Sequence, residues 1–175
     1  PAMQPLNTIR QLGYVVSNLD EAIKYWVDVV GAGPFFIIKH CALREQIYRG
    51  QPCAVDVDIA LGNSGDMQIE LIYQHNGAPS IYNETNPAGH VGLHHFGIMP
   101  VSFELAKATF LEQGCEEAFS CTVSRAELAY FDTRKHVGHF TEVWENSNVF
   151  NDVAHLVEDA AKNWDGRNPL RPMPG

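Results

Sequence analysis

The sequence predicts an α+β protein made of two β-α-β-β-β modules followed by a C-terminal helix. The first observation behind this fold class is an internal repeat, in which residues 11–22 align without a gap on residues 95–106. Gly13 pairs with Gly97 in this alignment. The second observation is that each copy changes from the alternation typical of a strand to apolar residues at helical spacing. The third is that further alternating stretches follow each helix, as a small sheet requires.

A strand over 8–16 opens the first module, because this stretch mixes β-branched and apolar residues. Asn18 or Asp20 caps the helix that we predict over 21–30. Gly31 lies where that helix should end. The other predicted features of this module are strands over 35–39, 53–61 and 67–73, a hairpin turn over 62–66, and a segment over 40–51 that fits either a strand or a loop.

The second module follows a linker that is rich in glycine and proline. Ser102 caps its helix, which should run to about residue 113 with Phe103, Ala106, Phe110 and Leu111 on the inner face. The other predicted elements are a helical turn around 80–84, strands over 93–99, 117–123, 126–131 and 139–145, and a helix over 149–164 on the outside of the molecule. The predicted organisation is a first module over 8–75, a linker over 76–92, a second module over 93–146, and a C-terminal helix and tail over 147–175.

Composition excludes several classes of function. The formal net charge is −9, and a protein that binds nucleic acid needs a basic face for the phosphates. No apolar run approaches the roughly 20 residues that span a bilayer, so we expect no membrane partner. The four cysteines show no C-x-x-C spacing and fit reduced thiols. We therefore expect a cytoplasmic protein whose partner is a small molecule.

The repeat also predicts a metal site. Gln11 and His95 occupy matched positions at the start of the two copies, and each is followed two residues later, on the same strand face, by a glycine that leaves room for a bound group. Glu70 and Glu142 each interrupt an apolar strand later in their module. A buried carboxylate is costly unless it is paired or bound to a cation. These four residues together offer a set of ligands suited to a divalent ion.

Simpler interpretations exist for each residue alone. A glutamine in a strand is commonly hydrogen-bonded or solvated, and a carboxylate can pair with lysine or arginine or face water. Among the other histidines, His94 should face away from His95 because neighbouring residues alternate along a strand, unless the strand bulges there. His139 should face away from Glu142 for the same reason. His40 could reach the cavity, although the structure of its segment is left open.

The chain resembles the vicinal oxygen chelate superfamily, which includes glyoxalase I, methylmalonyl-CoA epimerase, extradiol dioxygenases and bleomycin-resistance proteins. The resemblance extends from Thr8 to Glu145. It is carried by the paired modules, the opening motif over 12–22, the strand Ile69-Glu70-Leu71 and the sequence His95-Phe96-Gly97-Ile98. It implies a curved mixed sheet around one divalent metal ion, with zinc, nickel, cobalt or manganese better suited than iron. The ligands that it implies are Gln11, Glu70, His95 and Glu142.

The resemblance also implies a reaction. It suggests a metal-dependent lyase, or an isomerase or epimerase, that acts by 1,2-proton transfer through a metal-stabilised enolate on a small oxygenated substrate or thioester. Glu142 is implied as the base, with Glu70 or an unidentified residue on the opposite side. The ligand set resembles that of some glyoxalase I enzymes, whereas the His94-His95 doublet is similar to epimerases. The turn over 132–138 departs from the usual Asp-Pro-x-Gly and points to a subgroup with another substrate.

Two alternatives stay open. One is a binding or sequestering protein on the same fold, with a cup lined by aromatic residues such as Phe36, Tyr48, Tyr73 and Tyr130. The other is a ring-cleaving dioxygenase, which fits less well because that pattern needs two histidines and one carboxylate on iron. Many members of the superfamily form dimers, so a homodimer is also expected, with Tyr25, Trp26 and the C-terminal helix as candidate contacts.

Overall fold

The computed structural model describes residues 4–87 and 90–175, and the strands within these ranges form one mixed sheet. The strands are β1 Ile9–Val15, β2 Phe35–Ile38, β3 Arg44–Tyr48, β4 Gln51–Pro52, β5 Val57–Ser64, β6 Met67–Gln74, β7 Gly92–Ile98, β8 Glu117–Val123, β9 Ala126–Phe131, β10 Phe140–Trp144 and β11 Leu170–Pro172. The helices are α1 Leu19–Tyr25, continued by a π-helical turn over Trp26–Val30, then α2 Ile81–Thr85, α3 Phe103–Glu112, α4 Arg134–Val137 and α5 Asn148–Ala161.

The order of the strands reflects the internal repeat. Across the sheet it is β11-β2-β5-β6-β1-β7-β10-β9-β8-β3-β4. β1 and β7 pair antiparallel at the centre, and each has a parallel neighbour from its own half, β6 for β1 and β10 for β7. The two halves are thus arranged in mirrored order about the β1–β7 pair. This large, curved, unclosed sheet confirms the predicted α+β fold class.

Several local expectations needed correction. The hairpin turn is only Gly65-Asp66, because β5 continues through Gly62 to Ser64. The segment over 40–51 contains β3 and β4. β3 pairs with β8 of the second half, so this segment crosses to the far edge of the sheet. The tail after residue 165, in contrast, is extended, and part of it forms β11 beside β2.

The linker between the halves contains α2, as expected from the helical turn predicted around 80–84. Ser80 caps α2 by accepting hydrogen bonds from the backbone N–H groups of Tyr82 and Asn83, and the Asn83 side chain accepts from the Ser80 N–H. Residues 88 and 89, which belong to the predicted linker, lie outside the described residues. The division of the chain at 8–75, 76–92, 93–146 and 147–175 stays a prediction.

The inner face of α3 was predicted correctly in part. Ser102 caps the helix as expected, by accepting from the Leu105 N–H. Phe103 is buried and packs with Ala106 and Phe110 against the second half of the sheet. Leu111, however, is 52% exposed, because the helix buries only a narrow stripe of its surface.

The expectation that the C-terminal helix packs on the outside is wrong. Val157 of α5 is fully buried within the main hydrophobic cluster, and Phe150 and Val153 pack against the same cluster. These residues recur at helical spacing, so α5 has an apolar stripe that gains stability only when another element covers it. The helix therefore lies over the concave side of the sheet, where it covers part of a cavity. Within the described ranges, no helix has both the length and the apolar character needed to cross a membrane.

Candidate metal centre

The four predicted ligands come from the four central strands. Gly13 of β1 is the register partner of Glu70 in β6 on one side and of His95 in β7 on the other. One strand further along, Gly97 of β7 lies between Gln11 and Glu142 in the same way. Each glycine thus lies between two of the candidate ligands. Glu70, Gly13 and His95 form one row across the strands, and Gln11, Gly97 and Glu142 form the next row. The repeat seen in the sequence produces this arrangement because β1 and β7 pair antiparallel.

Both glycines are required by close packing. A Cβ atom added to Gly13 would overlap the imidazole ring of His95, and one added to Gly97 would overlap the indole ring of Trp144. Gly13 therefore allows the His95 ring to lie flat across the neighbouring strand. Gly97 does the same for Trp144, which forms part of the cavity wall. The prediction that these glycines leave room for a bound ion, water or substrate is wrong, because the rings of His95 and Trp144 fill that space.

The side chains of the four residues meet at one point. The Nε2 atom of His95 lies 2.9 Å from Oε1 of Gln11, 3.0 Å from Oε2 of Glu142 and 3.3 Å from Oε1 of Glu70. All four residues are buried, and His95 is completely inaccessible. The sequence-predicted quartet is therefore brought together, with one nitrogen surrounded by three oxygens.

The hydrogen bonding of this cluster fits a cation. Nε2 of His95 faces three oxygens and can carry at most one hydrogen, and Oε1 of Glu70 and Oε2 of Glu142 are buried oxygens with no hydrogen-bond donor. Unsatisfied buried carboxylate oxygens are costly. The donor set, two carboxylates, one amide oxygen and one imidazole, is of the type that divalent ions bind. The residues present therefore fit a divalent metal.

The charges in the cluster shift its titration. Burial disfavours the imidazolium form of His95, but the nearby Glu142 and Glu70 outweigh this and raise the pKa of His95 to about 9. Burial, assisted by repulsion from Glu70, raises the pKa of Glu142 above its ordinary value, although His95 and Tyr130 oppose this. A positive charge is thus strongly favoured at the centre of the quartet, whether it is a proton on Nε2 or a metal ion.

The expectation that His94 faces away from His95 is wrong. In the β1–β7 ladder, Gly13 pairs with His95 and Tyr14 with Leu93, so that His94 is an extra residue in β7. Such a bulge places two neighbouring side chains on the same side of a strand. The Nδ1 atoms of His94 and His95 consequently lie 2.9 Å apart.

A second irregularity occurs at the matching position of the first module. Ile9 pairs with Ile98 and Gln11 with Gly97, which leaves Arg10 as the extra residue in β1. Arg10 lines the cavity beside Gln11. Its guanidinium donates to the Gln4 carbonyl and contacts the sulfur of Met99, while its Nε has no partner.

Two further residues help to build the centre: Gln68, which the sequence analysis did not single out, and Tyr130, which it named only as part of an aromatic cup. Gln68 accepts a hydrogen bond of 2.8 Å from the amide nitrogen of Gln11, which turns the amide oxygen of Gln11 towards His95. Gln68 is two residues before Glu70 in the same strand, so alternation could have identified it. Tyr130 is the register partner of Glu142 across the β9–β10 pair, and its position depends on a strand pairing that the sequence does not reveal.

The quartet lies at the bottom of a cavity of about 160 Å³. Gln11, Glu70 and Glu142 contribute to its lining, and α5 contributes Phe150, Val153 and Glu158. Most of the remaining lining is apolar or aromatic, from Ile59, Leu61, Tyr82, Phe119, Tyr130 and Trp144. Of the aromatic residues predicted for a binding cup, Tyr130 lines the cavity, whereas Phe36, Tyr48 and Tyr73 do not belong to its lining.

The other histidines lie away from the quartet. His40 follows β2, does not line the cavity, and pairs with Asp56, while its ring stacks on His75 at 4.5 Å. His40, Asp58 and His75 form a second group with metal-ligand atoms close together. In this group the Asp58 carboxylate already accepts a hydrogen bond from the His40 backbone N–H, and the neighbouring Asp56 accepts one from the His40 ring. The carboxylate oxygens of the quartet that face His95 have no such donor. His139 packs edge-on against Phe96.

Solved structures show the same fold. A methylmalonyl-CoA epimerase from Mycobacterium tuberculosis is 14% identical, with a TM-score of 0.58 over 87% of this chain and 96% of its own. A hypothetical protein from Bacillus halodurans C-125 is 19% identical, with a TM-score of 0.57 over 81% and 95%. A variant of the Streptomyces coelicolor methylmalonyl-CoA epimerase in complex with 2-nitronate-propionyl-CoA is 14% identical, with a TM-score of 0.54 over 83% and 98%. At these identities the similarity establishes the fold alone.

A sequence comparison establishes the family. No curated protein matches the chain significantly. The profile of the family described as the glyoxalase/bleomycin resistance protein/dioxygenase superfamily matches residues 10–130, well over half of the 175 residues. This range includes Gln11, Glu70 and His95, and ends before Glu142. The resemblance to vicinal oxygen chelate proteins is thus confirmed: the chain belongs to the glyoxalase/bleomycin resistance protein/dioxygenase superfamily.

Proposed function

We propose that the protein is a metal-dependent isomerase or epimerase, or a lyase, that takes a proton from the carbon next to a carbonyl of a small oxygenated substrate or thioester. A proton then returns to the adjacent atom or to the other face of the same carbon. The observation that carries this proposal is the pair of unsatisfied carboxylate oxygens, on Glu70 and Glu142, that face one imidazole nitrogen at the bottom of an apolar cavity. The ligands would be Gln11, Glu70, His95 and Glu142. A divalent ion bound there would act as a Lewis acid on a substrate oxygen.

The residues around the centre have separate roles in this proposal. Glu142 is the base, because a carboxylate ligand that leaves the metal can take a proton from the carbon next to a carbonyl and return it. Glu70 belongs to the other half of the sheet, and its Oε1 lies 3.3 Å from the same His95 nitrogen. We assign it the return of a proton to the opposite face of a substrate. The apolar lining excludes water, which strengthens these charge interactions.

Solvent proton exchange tests this proposal. The protein, supplied in turn with zinc, nickel, cobalt and manganese, would be incubated in D₂O with methylmalonyl-CoA and with a panel of other thioesters and α-hydroxycarbonyl compounds. Deuterium incorporation next to the carbonyl would be followed by NMR. We expect exchange of at least one substrate in the presence of metal and none after treatment with a chelator. Exchange that is equally fast in chelator-treated protein would refute the proposed metal dependence.

Substitution of the base provides the first prediction. Glu142→Gln keeps the size of the side chain and removes the group that takes the proton, so exchange should fall by at least about 100-fold, as is common for the loss of a general base. Glu145→Gln is the matched control, because Glu145 lies just beyond β10 and accepts from the Glu127 N–H, away from the cavity. Unchanged exchange in Glu142→Gln would remove Glu142 from the mechanism.

The alternative of a binding or sequestering protein is favoured by one observation, the aromatic lining of the cavity by Tyr82, Phe119, Tyr130 and Trp144. It predicts that a small apolar ligand binds equally well with and without metal and that no substrate exchanges protons. Metal analysis of untreated protein separates the possibilities, because iron would favour the dioxygenase and the absence of metal the binding protein. A homodimer and a cytoplasmic location stay predictions.

A further inference from the structure

His94 connects the metal centre to the linker helix. Its Nε2 lies 3.0 Å from the backbone carbonyl of Ile81, the first residue of α2, and its Nδ1 lies 2.9 Å from Nδ1 of His95. The Nε2 of His95 in turn reaches Gln11. A continuous chain of close polar contacts thus runs from α2 through two imidazoles to the bottom of the cavity.

The chemistry of the atoms determines the direction of this chain. A backbone carbonyl can only accept, so Nε2 of His94 must carry the hydrogen. A neutral imidazole has one N–H, and Nδ1 of His94 is therefore an acceptor. Nδ1 of His95 must then be the donor between the rings. In a neutral His95 this leaves Nε2, the atom that faces Gln11, Glu70 and Glu142, with a free lone pair.

The surroundings of His94 keep its ring neutral and in place. The ring is 1% exposed. It stacks on Phe140 at 5.0 Å and packs against Tyr82 at 5.0 Å and Tyr130 at 5.9 Å. Burial, and next the charge of His95, lowers the pKa of His94 well below its ordinary value.

The Ile81 carbonyl is held equally firmly. Ser80 caps α2 and donates a hydrogen bond of 2.6 Å to Gln74 at the end of β6. The acceptor that orients His94 is therefore fixed to the same sheet that presents Glu70.

We propose that His94 is a positioning residue, which holds His95 in the tautomer that carries its hydrogen on Nδ1 and directs the free Nε2 at the bound metal ion. The proposal rests on the metal site of the proposed function. It assigns a role to the β7 bulge, because only the extra residue brings His94 beside the Nδ1 of His95. It also assigns a role to the linker, whose short helix supplies the fixed acceptor. Partners of this kind that orient a ligand commonly contribute about 10- to 100-fold in metal affinity.

The hydrogen bond between the two rings can be observed directly. In protein labelled with ¹⁵N-histidine, an N–H···N bond between His95 and His94 gives a coupling between their Nδ1 nuclei, and we expect this coupling in metal-free and in zinc-loaded protein. In the zinc-loaded protein the hydrogen of His95 should be on Nδ1. A hydrogen on Nε2 in the zinc-loaded protein, or a missing coupling, would overturn the proposal without any substitution being made.

Zinc affinity of variants is the second measurement. His94→Phe retains a ring for packing and removes the acceptor, so the zinc dissociation constant should rise about 10- to 100-fold. His94→Asn returns an acceptor oxygen near the position of Nδ1 and should recover part of the loss. His139→Phe is the control, since His139 lies immediately before β10 and packs on Phe96. The zinc affinity of this variant should equal that of the wild type.

The outcomes separate this inference from the proposed function. Wild-type protein that fails to bind zinc would refute the metal site itself, and the ring-to-ring coupling would still report whether the two histidines are bonded as described. Tight zinc binding that is the same in His94→Phe and the wild type would refute the positioning role and leave the metal site standing.

Discussion

At the scale of single residues, the candidate metal centre depends on two glycines whose missing side chains leave space for the rings of His95 and Trp144. Gly13 and Gly97 stand between the candidate ligands, and each faces an aromatic ring that occupies the place of its absent Cβ. The ligands themselves are polar groups whose charges are balanced only when a cation is present. Substitutions at this scale should therefore affect both the stability of the protein and its affinity for metal.

Gly13→Ala should displace the His95 ring, because the added methyl group overlaps it. We expect a loss of about 1–3 kcal/mol in the free energy of unfolding, typical of overpacking, together with weaker zinc binding. Gly77→Ala is the matched control, since nothing lies within 4 Å of a Cβ at that position. Urea unfolding and zinc titration of both variants provide the measurement. Equal effects of the two substitutions would contradict the role given to Gly13.

The raised pKa of His95 predicts how the stability of the metal-free protein depends on pH. Because the folded pKa is about 9 and the ordinary value about 6.5, the protonated ring stabilises the fold fully below pH 6.5. This contribution is lost as the pH rises through 9. Urea unfolding of metal-free protein should show a decrease of no more than about 3 kcal/mol over this window.

His95→Gln should abolish that decrease in the free energy of unfolding, whereas His155→Gln, at an exposed position of α5, should retain it. A wild-type stability that is flat between pH 6.5 and 9 would show that the positive charge on His95 does not contribute. Zinc should bind more tightly as the pH rises over the same window, because the ion replaces a proton on His95.

At the scale of elements, α5 determines how far the cavity above the quartet is closed off from solvent. The helix lies over the concave side of the sheet and places Phe150, Val153 and Glu158 in the cavity lining. The sheet alone would leave this side open to water. The helix thus contributes both to the core and to the lining of the cavity.

Val157→Ala should test the anchoring of this helix. Val157 is completely buried in the main cluster, and the loss of two methyl groups and the resulting cavity should reduce the free energy of unfolding by about 2 kcal/mol. Val29→Ala is the control, because Val29 is 67% exposed and should change stability by less than about 0.5 kcal/mol. A similar change in both variants, measured by urea unfolding, would indicate that α5 is not anchored through Val157.

At the scale of the whole molecule, the two halves share one sheet. β1 and β7 pair at its centre, and β3, which belongs to the first half of the chain, pairs with β8 of the second half. The candidate metal centre takes Gln11 and Glu70 from one half and His95 and Glu142 from the other. Neither half therefore has a complete set of sheet partners or ligands.

This interlocking predicts that the protein unfolds in one cooperative step. In hydrogen exchange measured against denaturant, β5 of the first half and β9 of the second half should open with the same free energy and the same midpoint. A fragment over 93–146 should show no protected strands, because it lacks β1 and β3. Two separate transitions, or a folded fragment, would show that the halves are independent units.

Local patterns in the sequence determined the two-module fold and the four positions of the quartet. Side-chain alternation and helical spacing are short-range properties, and a repeat transfers the position of Gln11 onto His95 without any knowledge of the pairing. The tertiary structure alone decided that His94 lies beside His95, because a bulge depends on how two distant strands align. It also decided that β3 crosses to the far edge and that α5 covers the cavity, because such placements follow from which apolar surfaces remain uncovered once the sheet has formed.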